Sequence, residues 1–328
     1  MAHRLGWGIL GTGKAAHLFA EGLSAVEGAE IRAVASRSGQ RAADFAREFS
    51  VPRHYGSYEA LIERNDIDVV YVATPHSDHL SNTLACLDHG RHVLCEKPMA
   101  LNARQATEMI GAARRKKLFL MEAMWMLTLP AMQKLREMVR LGYIGEIRLV
   151  RTVYSFSAEP GLHKRLFSLD CGGGALMDIG VYGIAFAQRI FGQIPVEIAG
   201  LADMGESGVD ERSIVNLRYD NGALANILSS IRDDWNMEGV IQGSEGFIRV
   251  PGKISRIKEF VLTPVRGQVQ RFRFDTLGNG YSHEAVEVGR CLREGKLESE
   301  VVPLEESITV LQTMDRIREL WNLRFPGE

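Results

Sequence analysis

The chain has 328 residues, of which 45% are hydrophobic and 24% charged, and its formal net charge is -2. That length is near the upper limit for one hydrophobic core, so two domains are expected, and the near-neutral balance gives no support to a strongly basic nucleic-acid-binding surface. No apolar run reaches the roughly 18 residues of a membrane span. The opening MAHRLGWGILGTG is punctuated by glycines where a signal peptide would be apolar. The four cysteines, Cys86, Cys95, Cys171 and Cys291, form no CxxC pair, a pattern that suits reduced cytoplasmic thiols better than a disulfide framework or a zinc site. His76 and His79 have no third ligand type nearby in the chain, so no metal is expected.

In chain order, RLGWGILGTG reads as a strand over 5–10 running into a glycine turn. KAAHLFAEGLSAV follows as a helix, with Ala16, Phe19, Ala20 and Leu23 as its apolar stripe. EIRAVASR is the next strand and SGQRAADFAREF the next helix; IDVVYVAT and HLSNTLACLDHG repeat the pair. RHVLCEK, a helix from NARQATEMIGAARRK, and the strand LFLMEAMW complete the first third. Strands that alternate with helices and are apolar on both faces predict a parallel sheet covered on both sides, that is, an α/β Rossmann domain over 1–123.

Gly11, Gly13 and Ala16 spell G-x-G-x-x-A between the first strand and first helix. Gly11 suits the tight turn, Gly13 lets the backbone approach a pyrophosphate, and Ala16 allows close helix–strand packing, with Thr12 and Lys14 completing the loop. An NAD site usually carries an acidic residue after the second strand. Here that strand ends in Ser36, Arg37 and Ser38, a set suited to a 2'-phosphate, so NADP is expected over NAD. ATPHSDH and then CEKP stand at the carboxyl ends of the third and fourth strands, where such sheets bind ligands. Thr74 and Pro75 are therefore cofactor-lining candidates. His76 and His79 are left between cofactor contact and a capping role, and Glu96 between cofactor contact and a strand-end salt bridge.

From Trp125 the pattern changes. LPAMQKLREMVRLGYIG is an amphipathic helix with Pro130 in its first turn. Strands dominate afterwards: EIRLVRTVYSFSA, VEIAGLADM, ERSIVNLRYDNGALANILSSI, GVIQGSEGFIRV and VQRFRFD, with hairpin signals at Asn221-Gly222 and GSEG. Helices are expected over 174–190, 281–294 and 304–322, the last with Leu304, Ile308, Leu311, Met314, Ile317 and Leu320 facing the core. This predicts a second α/β domain over 124–328 with a large, mostly antiparallel open sheet. Asp178 and Tyr182, four apart on the helix after Gly172, Gly173 and Gly174, share a face. Spacing alone leaves two roles open, a substrate-orienting pair or a hydrogen-bonded pair that fixes the helix.

The motifs GWGILGTGKAA, ATPHSDH, CEKPMALN, GEI at 145–147 and GGGALMDIGVYGIAF at 172–186 occur in the order of the Gfo/Idh/MocA oxidoreductases, and the chain resembles that family over its whole length. EAMW at 122–125, RLFSLDCGGGALMDIGVY at 165–182 and GYSHEAVEVGRCLREGKLESE onward resemble its dimeric dihydrodiol dehydrogenase and NADP-dependent D-xylose dehydrogenase branch. The resemblance implies hydride transfer between NADP and the carbinol or carbonyl carbon of an aldose, polyol or cyclic diol, and pairing of two chains through the C-terminal sheet. It implies Lys97 and Tyr182 as the proton-handling groups, with Asp178 orienting a neighbouring hydroxyl. Many sugar and inositol dehydrogenases of the family carry histidine in place of Tyr182. Trp125, Phe156, His163, Arg165 and Phe167 are substrate-side candidates, with core packing the alternative for the two phenylalanines and an interdomain salt bridge for Arg165. Other readings are a non-catalytic NADP-binding sensor of the same fold, a reductase of a ketose, anhydroketose or dicarbonyl sugar, and non-redox chemistry with a tightly held NAD.

Overall fold

The computed structural model describes residues 4–328. The chain forms two compact units. The first comprises the residues up to Ala100, Arg104–Thr128 and Thr276–Glu305; the second comprises Leu101–Ala103, Leu129–Asp275 and Glu306–Glu328.

The first unit is built on strands β1 (Leu5–Leu10), β2 (Ala29–Ala35), β3 (His54–Tyr55), β4 (Val69–Val72), β5 (His92–Glu96) and β6 (Leu120–Ala123), in the order β3-β2-β1-β4-β5-β6. Every pairing is parallel. Trp7, Ile9, Leu10 and all of Val69–Val72 have no exposed surface, the mark of strands covered on both faces. The helices are α1 (Lys14–Leu23), α2 (Gly39–Glu48), α3 (Tyr58–Ile62), α4 (His79–Asp88) and α5 (Ala103–Lys116). Ser38 and Ser57 cap α2 and α3 by accepting from the Arg41 and Ala60 amides. β3 and α3 were not anticipated: two and five residues are too short to show a period.

The second unit holds α6 (Pro130–Arg140), β7 (Ile147–Ser155), α7 (Val181–Phe191), β8 (Glu197–Met204), β9 (Asp210–Arg218), β10 (Leu224–Ser230), β11 (Glu238–Gly243), β12 (Gly246–Pro251), β13 (Glu259–Pro264) and β14 (Gln270–Arg273). Its eight-stranded sheet runs β14-β13-β12-β11-β7-β10-β9-β8. It is antiparallel except where β7 pairs with β10. Asn221-Gly222 and Ser244-Glu245 make the hairpins read from sequence, Gly222 taking a φ of 82° while Asn221 Oδ1 accepts from the Ala223 amide. Along β9, Ser213, Val215 and Leu217 are buried while Ile214 is exposed. α7 lies on the face formed by β7 and β10, with α6 against α7. β13 is the strand that the sequence did not signal.

Three expectations change. The helix expected over 174–190 opens as a π-helical turn, Leu176–Gly180, and is α-helical only from Val181. In the closing helix α9 (Leu304–Leu320), Leu320 is 50% exposed, and Leu323 and Phe325 just beyond the helix end are the buried residues instead. Finally, α8 (Ser282–Arg293) belongs with the first unit, so the contact-defined units do not follow one cut after residue 123. Ser282 Oγ donates to the Gly22 carbonyl at 2.8 Å and Asn279 Nδ2 to the Leu18 carbonyl at 2.7 Å. Both contacts bind the segment before and into α8 to α1.

Gly11 has a φ of 99°, and a Cβ there would run into the Ala73 carbonyl oxygen. Both the left-handed backbone and the close approach of the β4 end require glycine. Gly11→Ala should lower stability by about 2–4 kcal/mol, read by urea denaturation of the protein without added ligand; a loss below about 0.5 kcal/mol would show that the turn relaxes.

Candidate active site

In the first unit the strand order reverses between β1 and β4, the place where open parallel sheets accept ligands at their carboxyl edge. Four loops end there. In the loop after β1, Gly13 is exposed, and a Cβ on it would meet nothing within 4 Å. Gly13 is also the cap residue of α1, and no side chain bonds the first amides of that helix. Bare amides at a helix N-terminus with open space before them suit a phosphate. Lys14 is exposed at the first helical position, Ala16 is fully buried, and Thr12 Oγ1 lies 3.4 Å from Ser36 Oγ.

After β2, Ser36 is buried and accepts from the Ser38 amide at 3.3 Å, and the Ser38 hydroxyl is engaged in capping α2. Arg37 is exposed, and its guanidinium lies 3.5 Å from Asp78. The carboxylate missing from the end of β2 thus has a counterpart contributed from the loop after β4, which residue order did not reveal. Tyr58 stands beside this pair. Burial raises its phenol, with Arg37 opposing and Asp78 and Glu59 adding to the rise.

After β4, Thr74 accepts at Oγ1 from Asn82 Nδ2 at 3.1 Å. His79 has no exposed surface, and both of its ring nitrogens lie at main-chain oxygens: Nε2 at 3.1 Å from Thr74 O and Nδ1 at 2.9 Å from Pro98 O. His76 is buried with its ring 5.5 Å from that of His79. His79 is therefore a brace between the loops after β4 and β5. The Lys97–Pro98 peptide is cis. Glu96, 6% exposed, accepts from the Tyr71 hydroxyl with one oxygen and from the Lys97 amide at 3.0 Å with the other. Glu122 accepts from the Met99 amide at 2.9 Å. Trp125 is buried with its ring stacked on Tyr281 at 4.6 Å.

In the second unit, Gly172 and Gly174 take φ values of 68° and 106°, and a Cβ on Gly173 would stand 2.5 Å from the Leu166 carbonyl oxygen. The chain then enters the π-turn that carries Asp178. A π-turn closes at i→i+5, so the four-residue spacing to Tyr182 does not by itself align the two side chains. Asp178 accepts from Arg165 Nη2 at 2.7 Å, which makes Arg165 an ion-pair partner within its own unit. Tyr182 is 5% exposed, its ring 5.8 Å from that of Tyr154. The Tyr154 hydroxyl lies 2.9 Å from Ser255 Oγ; burial raises that phenol, the Ser255 bond opposes the rise, and the Asp178 charge adds to it. Tyr154 and Ser255 were not singled out from sequence, because no motif marks them. Phe156 and Phe167 pack on Ala158, Leu166, Ala175, Ile179 and Ile231. His163 is exposed, with Nδ1 at 3.2 Å from the Glu159 carbonyl oxygen.

Residues 5–124 match the model of an oxidoreductase family with an NAD-binding Rossmann fold, and residues 132–249 match the C-terminal domain of the same family. The chain belongs to the Gfo/Idh/MocA family. It is 36% identical over 335 residues to a mouse trans-1,2-dihydrobenzene-1,2-diol dehydrogenase, covering 99% of both chains, and 34% identical to the human enzyme of that name, again covering 99% of each. Among solved structures, an aldose-aldose oxidoreductase from Caulobacter crescentus superimposes with a TM-score of 0.87 at 24% identity, over 96% of this chain and 97% of the other. No described helix is long and apolar enough to cross a membrane.

Within this family scaffold, Asp210 anchors the helix that bears Asp178 and Tyr182. It is fully buried, accepts from the Leu176 amide at 2.7 Å through Oδ2, and leaves Oδ1 without a hydrogen-bond partner. Burial pushes its carboxyl up to about 7, with the Leu176 amide and the Arg318 charge pulling the other way. An acid raised in the folded state contributes stability that is whole below its ordinary value of 3.8 and is lost as pH rises through about 7. Asn keeps an acceptor for Leu176 but cannot ionise. The melting temperature of Asp210→Asn relative to the unmutated protein should therefore climb from about pH 4 to about pH 8; a constant difference would show that Asp210 does not titrate in that window.

Proposed function

We propose that this protein is an NADP-dependent oxidoreductase acting on CH–OH groups, its substrate a cyclic trans-diol, an aldose such as D-xylose, or a related polyol. The observation that carries the cofactor reading is the pairing of the bare α1 N-terminus at Gly13 with an exposed Arg37 and no carboxylate at the end of β2. The first fits a pyrophosphate and the second a 2'-phosphate. Full-length similarity to dihydrodiol dehydrogenases supports the substrate class.

Gly11, Thr12, Gly13 and Lys14 would hold the pyrophosphate, Ser36 and Arg37 the adenosine ribose and its phosphate, and Thr74 and Pro75 the remainder. Bound NADP supplies the hydride acceptor, and the protein supplies orientation and proton handling. Tyr182 takes the hydroxyl proton during oxidation and returns it during reduction. Lys97 contributes the positive charge that favours the anionic oxygen. Asp178, held by Arg165, orients an adjacent hydroxyl. In this division the Rossmann domain serves the cofactor, and the domain beginning near residue 124 serves substrate and self-association.

The test is a spectrophotometric screen for reduced nicotinamide with dihydrodiols, aldoses, inositols and dicarbonyls, using NADP and NAD in turn. Tyr182→Phe should lower kcat by about 10²–10⁴-fold and Lys97→Ala by about 10²–10³-fold. The double variant should lose little more than the worse single one, since both act on one proton. Arg37→Ala should cut kcat/KM for NADP by about 10–100-fold and leave NAD nearly untouched. Near-normal turnover of Tyr182→Phe would remove the phenol from the mechanism.

We further infer a homodimer through the open sheet. Leu201, Ile214 and Leu224 share its outer face on β8, β9 and β10 and are 83%, 47% and 47% exposed. An apolar patch on a sheet face usually meets a partner. Leu201→Asp should shift sedimentation velocity to a monomer; an unchanged sedimentation coefficient would place the interface elsewhere. A cytoplasmic location is consistent with four unpaired cysteines and is checked by cell fractionation.

A further inference from the structure

Glu284 lies in the first turn of α8 with no exposed surface, and neither of its carboxyl oxygens has a hydrogen-bond partner. Nothing in the proposed chemistry uses it. The charge that acts on it is Glu96: burial first, then the Glu96 carboxylate, hold its carboxyl well above the usual range. Tyr71 of β4 is subject to both. Its phenol is raised by burial, by Glu96, by Glu284 and by Tyr281, which immediately precedes α8. The other titratable groups that these charges reach are Tyr71, Tyr281 and Cys95 of β5, whose thiol is held well above its usual range by burial while Glu122 and Glu96 add to the rise; the lysine of the turn follows Glu96 in the chain.

The two carboxyls are not equivalent. Glu96 receives two donors, the Tyr71 hydroxyl and the Lys97 amide, and donors of that kind favour the ionised form. Glu284 receives none and is the more deeply buried. Two carboxylates close together in a medium of low polarity do not both ionise; the better solvated one keeps the charge and the other keeps the proton. A second negative charge would pull Glu96 out of its bonds to Tyr71 and to the Lys97 amide, and the turn that presents Lys97 would lose its hold on the strand end.

We propose that Glu96 and Glu284 form a buried carboxyl pair carrying one negative charge, and that the pair positions the Lys97 turn. The positioning half rests on the catalytic reading of Lys97; the charge of the pair does not. Infrared difference spectra at neutral pH, unmutated protein minus Glu284→Gln, should show a protonated-carboxyl C=O band. A carboxylate band in its place overturns the proposal. If Glu284→Gln fails to fold, the band is followed through pH in Asp210→Asn, which removes the other buried acid that titrates near pH 7. In kinetics, kcat should fall on the alkaline side as the pair gains its second charge. Glu284→Gln should move that fall upward by about one pH unit or more, whereas a purely structural glutamate would leave its position unchanged. Coincident profiles overturn the positioning role. Undiminished kcat in Lys97→Ala would overturn the catalytic reading and the positioning half together, while the infrared band would still report the charge of the pair.

Discussion

The carboxyl group of Glu96 is the contact on which the carboxyl edge of the first unit's sheet depends. A carboxyl group at 6% exposure is tolerated only if its oxygens are engaged, and Tyr71 from the neighbouring strand and the amide of the next residue engage them. The strand end, the residue after it and the adjacent strand are thereby locked together. His79 extends the lock to the loop after β4 through Thr74 and Pro98, and Glu122 extends it to β6 through Met99. A lysine on such a turn is presented by three strands rather than by a mobile loop, which suits a group whose charge must be placed accurately.

The second unit solves the same problem with different parts. Asp210 receives the Leu176 amide at the start of the helical segment, and Gly174, with a left-handed backbone, passes so close that a Cβ on it would meet the Asp210 carboxyl. The π-turn then sets Asp178 against Arg165 and leads into α7 and Tyr182. π-turns are uncommon in helices and recur at functional sites. Both units place a buried carboxylate on a backbone amide beside the residue of interest.

Much of this could be read in the chain itself. The order of strands and helices in the first unit follows from apolar runs separated by glycine and polar turns, and the hairpin at Asn221-Gly222 follows from the backbone that only such a pair accepts readily. Gly11 and Gly13 were legible because a phosphate-binding turn needs glycine at that spacing after a strand. β3 and α3 were not, since two and five residues carry too few positions to show a period, and β13, although six residues long like β1, was not signalled. Tyr154, Ser255 and Asp210 belong to no motif, and Asp78 and Glu284 lie inside quoted motifs that give no sign of what they contact. Their partners lie far along the chain, 101 residues away for Tyr154 and 41 for Asp78.

By itself, then, the sequence determined the two sheet types, the glycine cradle, the absence of an acidic residue after β2 and the glutamate–lysine–proline end of β5, because each depends on residues adjacent in the chain. Tertiary structure alone decided that Glu96 bonds Tyr71, that Asp210 holds the Leu176 amide and that Asp178 sits in a π-turn against Arg165. It also decided that α8 returns to the first unit and brings Glu284 with it. The reason is physical. Local patterns report backbone preference and amphipathicity, which act over a few residues. The fate of a buried charge is set by whatever groups the fold brings within hydrogen-bonding distance, whatever their distance in sequence.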